Sequence, residues 1–317
     1  MKKRILVTAA SLIVASAMAS NVEINIDCGK PTVELAPHLY GLFFEDINYA
    51  ADGGLYAELV QNRSFEYYKV KNAQMPPLFA WEKIERGGAR CALSVEKDEP
   101  LNDNNANYLT IDIRNSGTAV GVANSGFDGI PLDKDAKYDV SLYARLADWS
   151  GDEKIRVALE LADGTVVGQT EFSDVSKGWK KFEGVLVSGQ TVDNARLAIT
   201  TMGQGRLCLD MVSLFPRDTF MGRKNGLRKD LARALQELNP KFIRFPGGCI
   251  AHGDGLDNIY HWKDTVGDVA ERKPNWNRWG YHQTYGLGYF EYFQLCEDLG
   301  ATALPVIPVG VSCGFTP

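Results

Sequence analysis

The sequence predicts an α/β fold interrupted by an all-β module, and three observations predict it. From about residue 217 to 317 the apolar pattern reads helix, strand, helix, strand with long loops after the strands, which is the grammar of a parallel sheet or barrel. Near residue 45 an earlier segment, Leu42-Phe43-Phe44-Glu45-Asp46, has the look of the end of an α/β strand. Between these two, residues 67–216 carry many strands of period two and no helical stretch, which suggests a β-sandwich of the jelly-roll kind.

The first twenty residues carry Lys2, Lys3 and Arg4, then the apolar run ILVTAASLIVASAMA, with Ala17-Met18-Ala19 before Ser20. This is the pattern of a signal peptide and is short for a membrane span, so residues 1–20 are expected to be removed on export to periplasm or medium; the alternative is an uncleaved anchor. No other stretch is apolar enough to span, so no membrane association is expected after cleavage. Residues 21–66 follow, with strand-like segments in VEINIDCGKPTVEL, the strand ending at Phe44-Glu45-Asp46, and a short helical or looped GGLYAELVQN.

In the β-rich zone, Leu109, Ile111 and Ile113 alternate with polar residues, as do Val140, Leu142, Ala144 and Leu146, and Ile155, Val157, Leu159 and Leu161. Alternation of this kind puts one face of each strand in a core, and Asp163-Gly164 marks a hairpin. Beyond residue 217, GLRKDLARALQEL sets Leu227, Leu231, Leu235 and Leu238 on one helical face, with Asn225 as N-cap and Pro240 as stop. KFIRF is the next strand, GYFEYFQLCEDLG the next helix and ALPVIPVGV the next strand.

Charge and cysteine content narrow the function classes. A formal net charge of −6 and a pI near 5.4 offer no basic footprint for nucleic acid. Six scattered cysteines and four scattered histidines form neither a CxxC pair nor a zinc spacing, so mostly buried free thiols, no metal and no cofactor are expected.

If the strands form a barrel, the residues just past their C-terminal ends converge on one mouth: Glu45, the Gly247-Gly248-Cys249 turn and the segment around Ser312 and Cys313. Glu45 and Asp46 are neighbours, so their side chains point apart and cannot act as one acid/base dyad. Glu45 is placed to accept hydrogen bonds from sugar hydroxyls, and Asp46 reads better as a solvated carboxylate or cap. The loop of residues 250–286 gathers Tyr260, Trp262, Trp276, Trp279 and Tyr281 among Asn, Asp and Arg, a mixture that suits carbohydrate, although aromatics in a long loop more often form a local core that holds it down. Trp149 and Trp179 in the β module read as core.

The segments LYGLFFEDINYAADGGLYAELVQNRSFE, VSLFPRDTFMGRKNGLRKDLARALQELNPKFIRFPGGCIAHGDGLDNIYHWKDTVG and GYFEYFQLCEDLGATALPVIPVGV together resemble the N-terminal part of glycoside hydrolase family 51, the α-L-arabinofuranosidases. The inserted module resembles the carbohydrate-binding-module-like domain of one branch of that family. The resemblance implies an incomplete (β/α)8 TIM barrel, first strands only, interrupted by the jelly roll. It also implies an exo-acting, retaining hydrolysis of terminal arabinofuranosyl groups in arabinose-containing polysaccharide or oligosaccharide. Glu45 matches the family's glutamate that binds hydroxyls of the arabinose, and Cys249, beside Gly248, matches a position that touches the same sugar. One or more of Trp262, Trp276 and Trp279 falls at the rim.

Retaining hydrolysis needs two carboxyl groups roughly 5 to 5.5 Å apart. In the family the acid/base glutamate follows an asparagine, and no Asn-Glu dipeptide occurs here. The expectation is therefore a fragment, inactive alone, whose acid/base and nucleophile glutamates lie beyond Pro317. The resemblance also implies a homo-oligomer for the full-length protein. The competing readings are a non-catalytic carbohydrate-binding protein and, more remotely, a barrel hydrolase of another glycosidase family.

Overall fold

The structure is a computed structural model that describes residues 23–29, 34–70 and 74–313. The signal-like segment lies outside the described residues. The chain divides into two compact units, Met1–Pro37 and His38–Pro317. In the first, the described residues form no strand, contrary to the strand-like pattern of VEINID, because a strand needs a ladder partner and none pairs with it; Gly29 N donates to Asp27 Oδ1 at 3.0 Å in a turn.

The second unit opens with β1 (Leu42–Phe43) and then builds the β module. Its strands are β2 (Trp81–Arg86), β3 (Arg90–Glu96), β4 (Tyr108–Asn115), β5 (Ala119–Asn124), β6 (Ile130–Leu132) and β7 (Lys137–Ser150). They are followed by β8 (Ile155–Glu160), β9 (Val166–Phe172), β10 (Lys180–Val187), β11 (Val192–Thr201) and β12 (Gln204–Pro216). One sheet runs β10-β7-β12-β4-β3 and the other β2-β5-β11-β8-β9, with β6 also pairing β11, and all these pairs are antiparallel.

The two sheets share one core. Leu109, Ile111, Val140 and Leu142 from the first meet Val122, Val157, Leu159 and Ile199 from the second, so the alternation in the sequence does mark the inward faces of a sandwich. Burying each such side chain contributes about 1.5–3 kcal/mol. The Asp163-Gly164 hairpin forms as expected between β8 and β9, with Gly164 at positive φ. Some outward residues depart from the pattern: Thr110, Arg145 and Glu160 are buried, Glu160 because Arg86 on β2 and Arg196 on β11 close over it at 2.6 and 3.3 Å.

After the sandwich come α1 (Lys229–Glu237), β13 (Phe242–Phe245), α2 (Cys249–His252), the short strands β14 (Asn275–Trp276) and β15 (His282–Gln283), α3 (Tyr289–Leu299) and β16 (Thr302–Pro305). Strands β1, β13 and β16 form a parallel sheet in that order. α3 covers one face: Tyr292 stacks on Phe245 with ring centroids 4.7 Å apart, and Leu295, Cys296 and Leu299 join Ile243 in a second core. Gly300, in the left-handed region, ends α3, and Ala301 N returns to Cys296 O at 2.8 Å.

Two details differ from the sequence reading. α1 begins after Arg228 rather than at Asn225, since residues 219–228 form a closed turn, with a 3-10 turn at Phe220–Gly222 and Asn225 at positive φ, pinned by the Thr219–Arg228 and Tyr56–Leu227 bridges. Ala232 and Leu235 then face the core, while Leu231 and Leu238 turn outward. The last strand stops at Pro305 instead of running through ALPVIPVGV, because Pro305 and Pro308 remove ladder donors.

Candidate functional site

The parallel ladder delivers two turns to one end of the sheet. Phe44 N donates to Arg244 O at 2.8 Å, carrying the β1–β13 pairing one residue past β1, and Glu45 follows. On the other strand, Pro246 ends β13 and Gly247 turns at φ 146°, where a Cβ would lie 2.5 Å from Glu45 Cγ. Only a glycine lets the two turns come this close. Glu45 Oε1 then accepts from Ile250 N at 2.9 Å, in the first turn of α2. Gly248 sits against the other oxygen, its Cβ position 3.9 Å from Glu45 Oε2.

Cys249 opens α2, and its sulfur lies 3.2 Å from that of Cys313, which follows β16. Cys313 N donates to Gly253 O at 3.1 Å, fastening the segment after β16 to the end of α2. The contact with Cys313 is the largest cause holding the Cys249 thiol above its ordinary pKa; burial and the Cys313 and Glu45 charges add to it, and Arg278 opposes it. The structure thus brings together Glu45, Gly248, Cys249 and Cys313.

Asp46, expected to be solvated, is instead buried. Its Oδ1 accepts from Ala51 N and from the Tyr281 hydroxyl, each at 3.0 Å, and the same hydroxyl accepts from Tyr49 N at 3.0 Å. The Tyr49 and Tyr281 rings stack 4.1 Å apart over this knot. Burial, with the nearby charge of Asp52, pushes the Asp46 carboxyl up to about 7. Asp46, Asp52, Pro246 and Ile250 line a cavity of about 10 Å³, room for about one water.

Trp276 and Trp279 occupy the two-stranded ribbon of β14 and β15 rather than the turn itself. Asn277, between them, donates to Asp46 O at 3.5 Å, so the ribbon borders the Glu45 turn. Trp279 and Trp262 are each 40% exposed, whereas Tyr260, Tyr281 and Tyr285 are buried and hold the long loop down. Arg272, also buried, rivets that loop to α3 through Glu291 at 2.8 and 2.9 Å and ties the loop to itself through Tyr285 O at 2.7 Å.

Arg244, which the sequence reading passed over, lies in register with Phe43 and Leu304 on the sheet face opposite α3, its guanidinium 4.8 Å from the Phe43 ring centroid. The period-two alternation of Phe242-Ile243-Arg244-Phe245 held the signal. The site therefore offers one anchored carboxylate, two thiols and, on the bordering ribbon, the exposed indole of Trp279, a set suited to binding a polyhydroxylated ligand. Larger hollows of about 480 and 610 Å³ share no lining residue with it. Among the described residues no group of three His, Cys, Asp or Glu is placed to hold a metal ion, and no helix is long and apolar enough to cross a membrane.

Comparison with known proteins gives the following. Residues 57–204 match a carbohydrate binding domain family, and residues 234–316 match the α-L-arabinofuranosidase 1 domain family. An extracellular exo-α-L-arabinofuranosidase from Streptomyces chartreusis is 42% identical over 98% of this chain and 38% of its own length. α-L-Arabinofuranosidase 2 of Arabidopsis thaliana is 36% identical over 92% of this chain and 44% of its own. Among solved structures, the arabinose-bound MgGH51 α-L-arabinofuranosidase superposes with a TM-score of 0.80 and 35% identity, covering 90% of this chain and 46% of that one. The chain thus spans less than half the length of these relatives.

Proposed function

The chain belongs to the α-L-arabinofuranosidases of glycoside hydrolase family 51, matching their N-terminal region with a CBM4-like domain, and we propose on that basis that it binds terminal, non-reducing α-L-arabinofuranosyl groups of plant polysaccharides such as arabinan and arabinoxylan. The reaction served is their hydrolysis by retaining double displacement. In this reading β1, β13 and β16 are the first strands of a (β/α)8 barrel, whose chemistry gathers at the C-terminal strand ends. Residues 67–216 are the inserted jelly-roll module between barrel segments 21–66 and 217–317.

The observation that carries the proposal is the anchoring of Glu45. Ile250 N fixes Oε1, which leaves Oε2 to accept a sugar hydroxyl in a set direction. Gly247 keeps the backbone close, Gly248 borders Oε2, Cys249 lines the pocket, and Trp276 and Trp279 stand at the rim for the C–H face of a neighbouring sugar. No residue among the 317 is assigned as acid/base or nucleophile. Glu45 and Asp46 cannot serve as that pair, since one is turned to the mouth and the other into the core. The basic, then apolar N-terminus and the extracellular relative support export.

Calorimetric titration of the 317-residue chain with an aryl α-L-arabinofuranoside tests this. Glu45→Gln should weaken binding by roughly ten- to hundredfold, the value of a hydrogen bond to a charged group. Equal affinity of the variant would sink the assignment of Glu45, and turnover by the unaltered chain would overturn the assignment of no catalytic residue.

A further inference from the structure

We propose that Cys249 and Cys313 are a dithiol that closes to an intramolecular disulfide across the mouth of the three-stranded sheet, with a glutathione-type or protein disulfide as oxidant. The two residues follow adjacent parallel strands, β13 and β16, and are 64 positions apart in the chain. Their sulfurs are already 3.2 Å apart, and the Cys313 N to Gly253 O bond keeps the second thiol over the short helix that carries the first. Both are half-buried and open to a small reagent, whereas Cys91, Cys208 and Cys296 are buried. Cys28 belongs to the other compact unit. No other pair of thiols is in contact among the described residues.

Closure is ordinary thiol–disulfide exchange. One protein thiolate attacks glutathione disulfide, forms a mixed disulfide and expels a glutathione thiolate. The second protein thiolate then attacks the protein sulfur of that mixed disulfide and expels the other glutathione. The two protein sulfurs lose two electrons, which reduce the glutathione disulfide, and the two thiol protons end on the two glutathiones released. In an oxidising compartment the pair stays closed, and in a reducing one it stays open. Closing removes the Cys249 S–H from the mouth; that this matters to a sugar rests on the functional reading above, while the bond itself does not.

The test equilibrates the native 317-residue chain with oxidised or reduced glutathione, quenches it with acid and an alkylating reagent, and maps the peptides without reduction. The oxidised sample should yield one cross-linked pair containing Cys249 and Cys313, with the other four cysteines alkylated once the protein is unfolded. Finding alkyl groups or glutathione on both residues after full oxidation, or Cys249 bonded to another cysteine, overturns the proposal. Cys313→Ser should leave Cys249 either alkylated or held as its glutathione mixed disulfide in the oxidised buffer, with no cross-linked peptide; if that variant fails to fold, the map of the unaltered chain decides alone. On the same samples, arabinoside affinity should fall roughly threefold to tenfold on closure. A mapped bond with unchanged affinity retires Cys249 from the sugar pocket and leaves the disulfide standing. A missing bond, with binding still sensitive to Glu45→Gln, does the reverse.

Discussion

The sandwich and the three-stranded sheet solve the same problem to different degrees. In the sandwich each sheet covers the other, and Leu109, Ile111, Val122, Leu142, Val157 and Ile199 are all fully buried. In the parallel sheet α3 covers one face, while the opposite row keeps Phe43 53% and Leu304 49% exposed, with Ile307, Val309 and Val311 beyond it. Large apolar side chains left in a contiguous row mark a surface that gains from being covered. The difference teaches where stability resides: the β module holds its own core, and the parallel sheet holds the strand-end turns that carry Glu45, Cys249 and Cys313.

Mutation should show this as a gradient. The largest loss is expected at Phe65, fully buried in the sandwich core and packed on Trp81 at 5.1 Å although it precedes the module's first strand. Phe65→Ala should cost about 3–5 kcal/mol in urea unfolding followed by circular dichroism. By the same reasoning a piece spanning residues 57–216 should unfold at higher urea than one spanning 67–216; equal midpoints would place the module boundary where the sequence put it.

A smaller, pH-dependent effect is expected at Asp46. Its folded pKa, pushed up to about 7, exceeds the unfolded value near 3.9, so the folded state binds the extra proton between them. The stability this gives is full below about pH 4 and is lost as pH rises through about 7. Asp46→Asn should flatten that slope, measured as the urea midpoint at pH 5 and pH 8; an unchanged slope would assign it to the other carboxyls that burial pushes up, Glu66, Asp52, Glu58 and Asp210. The smallest effect is expected on the open row, where Leu304→Ala should shift stability by under about 1 kcal/mol. A loss as large as that at Phe65 would mean the row is covered in solution.

The sandwich was legible because its alternation is local: Val140, Leu142 and Ala144 declare their face within one strand. What depended on distant partners was not. Glu160 reads as an outward residue until Arg86 and Arg196 arrive from two other strands. Asp46 reads as solvated until Tyr281, 235 residues away, closes on it. The strand-end positions of Glu45, Gly248 and Cys249 could be read from Pro and Gly punctuation, and the structure does bring them together. The nearness of Cys313 to Cys249 had no local signal, since it follows from the neighbouring places of β13 and β16 in the sheet. The helical start at Lys229 was missed because Asn225 takes a left-handed turn conformation, which a capping rule cannot tell from an N-cap.

The chain enters and leaves the sandwich side by side: Leu59 N donates to Leu214 O, Val212 N to Arg63 O and Ala57 N to Gly226 O. Glu45 must find Ile250 across 205 positions, a long loop to close in a disordered chain. Once the sandwich has formed, that loop is short-circuited, and with about 0.6 kcal/mol for each halving of loop length the shortcut is worth roughly 1–2 kcal/mol of closure entropy. The order of events during folding follows from this: the sandwich should form early, and β1 should then meet β13 late and quickly. An inserted module that looks like an interruption in the sequence thus acts as the clasp that brings the two halves of the mouth within reach of each other.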